Sequence, residues 1–384
     1  MNKPKIRFKG FEGEWKDSML SDFSYSICSG RDTAHKGIYP LYGSTGIIGT
    51  TNKPSYNGAM LLVARVGANA GKLQIINEEC GVSDNTLIIK PNGNISVSWL
   101  YYYLVHCNLN HLVYGSGQPL ITGYMLKRIP ILLGSKKECD EIASYFTALD
   151  AQIAASTSRL SSLKQIKAAS LLNMFPQKGE SVPRVRFKGF QGEWKEKALG
   201  DVVDDFKYGI NAAAVSYDGE NKYLRITDID EESRAFIKDE LTSPDVDLSS
   251  RNEYIMQEGD IVIARTGASV GKSYIYHPID GKVYFAGFLI RARVNKKVDR
   301  EFVYLNTLTD GFKKYIRFVS QRSGQPGVNV EELKSYLMNL PASLPEQRAI
   351  ASFFTALDAQ ITLQRERLEK LKQIKAACLE KMFA

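Results

Sequence analysis

The sequence predicts an α+β chain: two globular heads of mixed strands and short helices, separated by two long antiparallel helices forming a coiled coil, with internal pseudo-two-fold symmetry. Three observations carry this reading. PKIRFKGFEGEWK at 4–16 returns as PRVRFKGFQGEWK at 183–195, and IASYFTALDAQI at 142–153 returns as IASFFTALDAQI at 350–361, so the chain repeats once. The latter phrases open stretches whose apolar residues fall on alternating steps of four and three, the seam of a coiled coil. Between them lie short apolar runs bounded by Gly, Asn, Asp and Pro, which read as strands and turns.

In chain order, residues 1–134 form the first head, 135–176 the first long helix, 177–342 a linker and the second head, and 343–384 the second long helix. AMLLVAR, NTLIIKP, DIVIAR and FLIRARV are the strand runs. Short helices are expected near 96–106 and 300–316. PQKGESVPR at 176–184 is the linker, its prolines and glycine ending the first helix. Ser135 with Glu138, and Ser343 with Glu346, have the spacing of a reciprocal capping box at each helix start. The seams run through Ile142, Phe146, Leu149, Ile153, Leu160 and Leu163, and through Ile350, Phe354, Leu357, Ile361, Leu368 and Leu371. Ile142 to Phe175 is about 50 Å of helix at 1.5 Å per residue. An apolar stripe that long needs a partner, and the economical one is the other helix.

Where the two halves differ follows from the spacing of their repeats. Arg7 and Arg186 are 179 positions apart, Ala64 and Ala264 are 200 apart, and Ile142 and Ile350 are 208 apart. Most of the extra length of the second half therefore lies between Trp194 and Ala264. The tails match and the heads diverge.

Composition narrows the function. The 384 residues carry 50 Lys plus Arg against 42 Asp plus Glu, a formal charge of +8 that suits an anionic partner. Five cysteines without CxxC spacing indicate neither a zinc ribbon nor a disulfide framework and fit a reducing cytoplasm. No apolar run is long enough for a membrane span. The histidines His35, His106, His111 and His277 form no metal motif, and no GxSxG occurs. ARTGASVGK at 264–272 invites a P-loop reading, but only three residues separate Gly267 and Gly271, one short of the motif. The same phrase at 64–72 is followed by Leu73, where a magnesium-binding hydroxyl is required. Arg65 and Arg265 within these phrases suit a recognition role and, equally, a structural pairing with a carboxylate inside each head.

Recognition chemistry is better supplied. YPLYGSTGIIGTTNKPSY at 39–56 offers Tyr42, Ser44, Thr45 and Lys53, and the repeated phrases add Lys72, Lys272, Ser116 and Gln118. FKKYIRFVSQRSGQPGVN at 312–329 offers Lys313, Arg317, Gln321, Arg322 and Gln325, a set of phosphate anchors and base-edge readers. These are the candidate DNA contacts.

Together, the variable heads, RFKGFxGEWK leads, ARxGAxxGK phrases and the helix opening at LPEQRAIASFFTALD resemble the specificity subunit of type I restriction-modification systems. The first half departs at GSKKECDEI, 134–142, which lacks LPEQR. The resemblance implies a non-catalytic reader of double-stranded DNA in the cytoplasm, each head a target recognition domain for half of a bipartite site. It implies that the helices set the unread spacer and dock two methyltransferase subunits, while restriction and translocase subunits complete the assembly. S-adenosylmethionine, ATP and magnesium then belong to those partners, with no metal or cofactor in this chain. Two rivals remain open: a coiled-coil adaptor whose heads bind protein, and a P-loop nucleotide-binding protein.

Overall fold

In the computed structural model, which describes residues 3–114, 119–321 and 324–383, the apolar runs become the middle of each head's sheet. The first head holds β1 (Ser24–Ser29), β2 (Ala59–Ala64), β3 (Leu73–Asn77) and β4 (Thr86–Pro91), antiparallel in the order β1-β4-β2-β3. Leu61 lies opposite Ile89, and Ala64 opposite Thr86. Successive residues of β2 point to opposite faces, and both faces are covered. Leu61 and Val63 pack with Trp99, Leu100 and Leu104 of the helix Val97–Cys107. Met60 and Leu62 pack with Tyr42, Cys80 and Val82. Burial on two sides is why the strand is continuously apolar and not alternating.

The first long helix, α1, spans Lys136–Asn173. Beyond it the second head repeats the plan with β5 (Val203–Tyr208), β6 (Ile261–Ala264), β7 (Ser273–Ile275) and β8 (Leu289–Val294), in the order β5-β8-β6-β7. Its helical layer is broken into Arg300–Leu308 and Asp310–Val319 where one helix is expected over 300–316. Thr309 causes the break: its hydroxyl donates to Asn306 O and accepts from Phe312 N, ending one helix and capping the next. The second long helix, α2, spans Leu344–Met382. Each head is closed by a ribbon of its first and last strands, Lys16–Met19 with Pro130–Leu133 and Lys195–Ala198 with Leu337–Leu340.

The chain forms two compact units, and their limits cut through both long helices. One comprises residues 1–158 with 365–384, the other 159–364. Each unit thus holds a head, one end of α1 and the opposite end of α2. In the first, Lys375 Nζ meets Asp150 Oδ1 at 2.5 Å, and the Tyr145 hydroxyl lies 3.5 Å from Cys378 Sγ. In the second, Lys167 meets Asp358 at 2.6 Å and the Phe175 ring lies 6.2 Å from Phe354. In both, residue numbers rise along one helix as they fall along the other, so the segments run antiparallel. Ile142, Phe146, Leu149, Leu160, Leu163, Ile350, Phe354, Leu357, Ile361 and Leu368 are buried, whereas Ile153 and Leu371 are half-buried. Ile142 and Phe146 share the first head's core with Met382 and Phe383, and Ile350 and Phe354 join Met174, Phe175 and Trp194 in the second unit.

The helix starts differ from a reciprocal capping box. Ser135 Oγ does accept from Glu138 N, at 3.2 Å. The Glu138 carboxylate, however, takes both Nε and Nη2 of Arg7 at 2.8 Å and the indole N–H of Trp15. Arg186 grips Glu346 in the same way, at 2.7 and 2.9 Å. The RFKGF lead of each half is thereby latched to the start of the helix that follows its head.

Candidate nucleic-acid interface

In each head the ARxGAxxGK phrase is the hairpin that joins two central strands, β2 to β3 and β6 to β7. Ala64 N–H donates to Lys72 O and Gly71 N–H returns to Ala64 O; Ala264, Lys272 and Gly271 repeat the pattern at 2.7 and 2.8 Å. Gly67, Gly71, Gly267 and Gly271 all have φ between 77° and 86°, the left-handed region that glycine enters without strain. The loop N–H groups are consumed locally, Ala70 on Gly67 O and Lys72 on Asn69 O, with Val270 and Lys272 matching them. A phosphate cradle needs those groups converging on an anion. This loop is not one.

The second repeated phrase lies beside the first. Gly67 N–H donates to Pro119 O and Ile121 N–H to Arg65 O; Gly267 does the same to Pro326 and Val328 to Arg265. A Cβ on Gly267 would come within 3.1 Å of Gln325 Nε2, which places that amide over the hairpin. Both heads therefore carry one frame, the hairpin and the segment that runs on from Pro119 or Pro326, around which other side chains are mounted.

Those side chains differ between the heads. In the first, the turn Gly43–Gly46 between strands Tyr39–Gly43 and Gly46–Thr51 brings Ser44 and Thr45 to a hollow shared with Lys72 and Gln74. Lys72 and Lys53 are exposed. Tyr42 is not a contact: it is 4% exposed, its hydroxyl donates to Glu78, and burial followed by that bond pushes its pKa up to about 12. In the second head Lys313 and Arg317 are exposed and line a groove between the hairpin and the helix Asp310–Val319. Gln321 and Gln325 are also exposed. Lys272 is not free like its counterpart Lys72; it is 7% exposed, donates to Ile226 O and Ile229 O, and pairs with Glu231. The longer segment of the second head covers it. Ser116, Gln118 and Arg322 lie outside the described residues.

Among the described residues, Arg65 and Arg265 have no carboxylate partner. Arg65 donates to Ser29 Oγ and Asp84 O, both at 3.3 Å, and the Arg265 guanidinium stacks 4.7 Å above the Tyr208 ring. Sequence reasoning also passed over Arg234, which lines the second head's groove from a left-handed backbone position, φ 60°. The length difference between Trp194 and Ala264 was its only signal. Among the described residues no cluster of His, Cys, Asp and Glu has a geometry able to hold a metal, and no helix is long and apolar enough to cross a membrane.

Comparison with known proteins gives a consistent result. The family model for the type I restriction modification DNA specificity domain matches residues 12–165 and 191–373. The EcoprrI type I restriction enzyme specificity subunit of Escherichia coli is 24% identical over 176 residues, 44% of this chain and 43% of that protein. The MjaVIII specificity subunit of Methanocaldococcus jannaschii is 22% identical over 401 aligned positions, 94% of this chain and 90% of its own. In fold, the crystal structure of a type I restriction-modification S subunit from M. genitalium superposes with a TM-score of 0.69 at 17% identity, covering 100% of this chain and 99% of that one.

Proposed function

Because the chain belongs to the type I restriction-modification DNA specificity family, we propose that each head reads one half of a bipartite duplex target and that the helices set the unread distance between them. The observation that carries this reading is the shared frame with unlike faces. Around the same hairpin, Ser44 and Thr45 stand with Lys72 in one head, and Arg234, Lys313 and Arg317 stand in the other. Two readers of unrelated half-sites require a constant scaffold with exchanged side chains. Ser44, Thr45, Lys53, Lys72, Lys313, Arg317, Gln321 and Gln325 remain the proposed contacts. Ser116, Gln118 and Arg322 are proposed as contacts on sequence grounds alone.

We assign methylation and cleavage to partner subunits, with S-adenosylmethionine, ATP and magnesium bound there, and the assembly to the cytoplasm. Leu363, 68% exposed, and Ile166, 48% exposed, offer apolar helix surface outside the seam that suits docking of methyltransferase subunits. The test uses the purified complex of this chain with its methyltransferase. We expect one asymmetric site, protected in two separated clusters, with methylated adenines mapping to both halves and affinity falling as salt rises. A single protected cluster, or DNA that neither stabilises nor is protected by the complex, sinks the proposal and leaves the protein-binding adaptor.

A further inference from the structure

We propose that in the second head Arg234 has taken over the DNA-phosphate contact that Lys72 makes in the first, its counterpart Lys272 having been withdrawn into the protein. The inference rests on the DNA-reading function above. Equivalent grooves lie between hairpin and helix in the two heads. The first is lined by Lys72 with the neutral Tyr101, Asn108 and Asn110. The second is lined by Arg234, Lys313 and Arg317. Lys272 also reaches that groove, but its ammonium is held by two carbonyls and the Glu231 carboxylate.

The segment that captures Lys272 also supplies its replacement. Asp230 Oδ1 accepts from the N–H groups of Glu232 and Ser233, a tight turn that leaves Arg234 at φ 60°. Glu231 on one side of the turn holds Lys272, and Glu232 holds Lys164 of α1 at 2.5 Å. Between these two tethers the Arg234 guanidinium keeps Nη1 enclosed without a hydrogen-bond partner, Glu231 Oε2 lying 3.8 Å away. A non-glycine residue in left-handed backbone is strained, and such strain persists where surrounding structure imposes it. Three cations besides Lys272 line this groove, and its carboxylate, Glu231, is engaged by Lys272. That chemistry matches a phosphodiester better than a base edge, which mixes donors with acceptors.

The test measures salt dependence of DNA binding by the complete methyltransferase complex on its own methylation site. Glycine suits φ 60°, so Arg234→Gly removes the side chain while relieving the backbone. Each phosphate contact contributes about 0.9 to the slope of log K against log salt. Arg234→Gly and Lys72→Ala are each expected to lower the slope by roughly one unit and leave the methylated sequence unchanged. Lys272→Ala combined with Glu231→Gln, which deletes the internal pair without freeing a carboxylate, is expected to leave the slope where it was. The proposal is overturned if Arg234→Gly leaves the slope intact, if it relaxes the methylated sequence, or if the Lys272 double variant lowers the slope. Wild-type complex without salt-dependent DNA binding overturns the functional reading as well, and so separates the two.

Discussion

Arg7 and Arg186 each reach a glutamate at a helix start, 131 and 160 positions away. Glu138 is 1% exposed, so deleting its guanidinium partner strands a charge away from water. Breaking a buried pair from one side costs about 3–5 kcal/mol, and Arg7→Ala is expected to lower the denaturation midpoint accordingly. Arg7→Met with Glu138→Gln should recover most of the loss, because a neutral amide still accepts the Trp15 indole N–H; an unshifted midpoint in Arg7→Ala would show the latch to be idle. The sequence offered the repeat of RFKGF and the Ser-x-x-Glu spacing, but not their connection. A bidentate, charge-assisted grip competes better for a carboxylate than one backbone N–H does, and only the folded chain brings the fork within reach. Tyr42 and Lys272 were misread for a related reason. Residue type favours the surface for both, and a distant segment decided otherwise.

At the level of elements, the strands, the two helices and the hairpin phrase were legible because each is set by local pattern or by repetition. Thr309 was not, since its place inside an otherwise helical stretch becomes a break only when the hydroxyl caps. The hairpin glycines can be ranked from their surroundings. Gly67 has open space around its missing Cβ, whereas a Cβ on Gly271 would lie 2.8 Å from Ile316. Alanine at either costs about 1–3 kcal/mol in backbone strain. Gly271→Ala should cost more than Gly67→Ala in a thermal melt, and the reverse order would mean that the hairpin does not pack on the helix Asp310–Val319 as described.

For the whole molecule, α1 and α2 are continuous over 38 and 39 residues, about 57 Å each at 1.5 Å per residue. If their length sets the unread spacer, removing one heptad from both shortens that spacer and leaves both half-sites intact, read by mapping methylated adenines. Altered half-sites would contradict a division between reader and ruler. Duplication made this architecture visible in the sequence. The pairing of head with two helix ends was hidden, because it joins residues at opposite limits of the chain. Ile6 N–H donates to Lys381 O at 2.9 Å, and Val185 N–H donates to Asn173 O at the same distance. The first contact bridges the outer stretches of the polypeptide, the second a short internal link, yet they are one joint made twice. The same closing contact therefore forms whether or not the backbone runs through it. A permuted gene that joins residue 381 to residue 6 through a copy of the 176–184 link, and opens the chain within the original link, should keep both contacts.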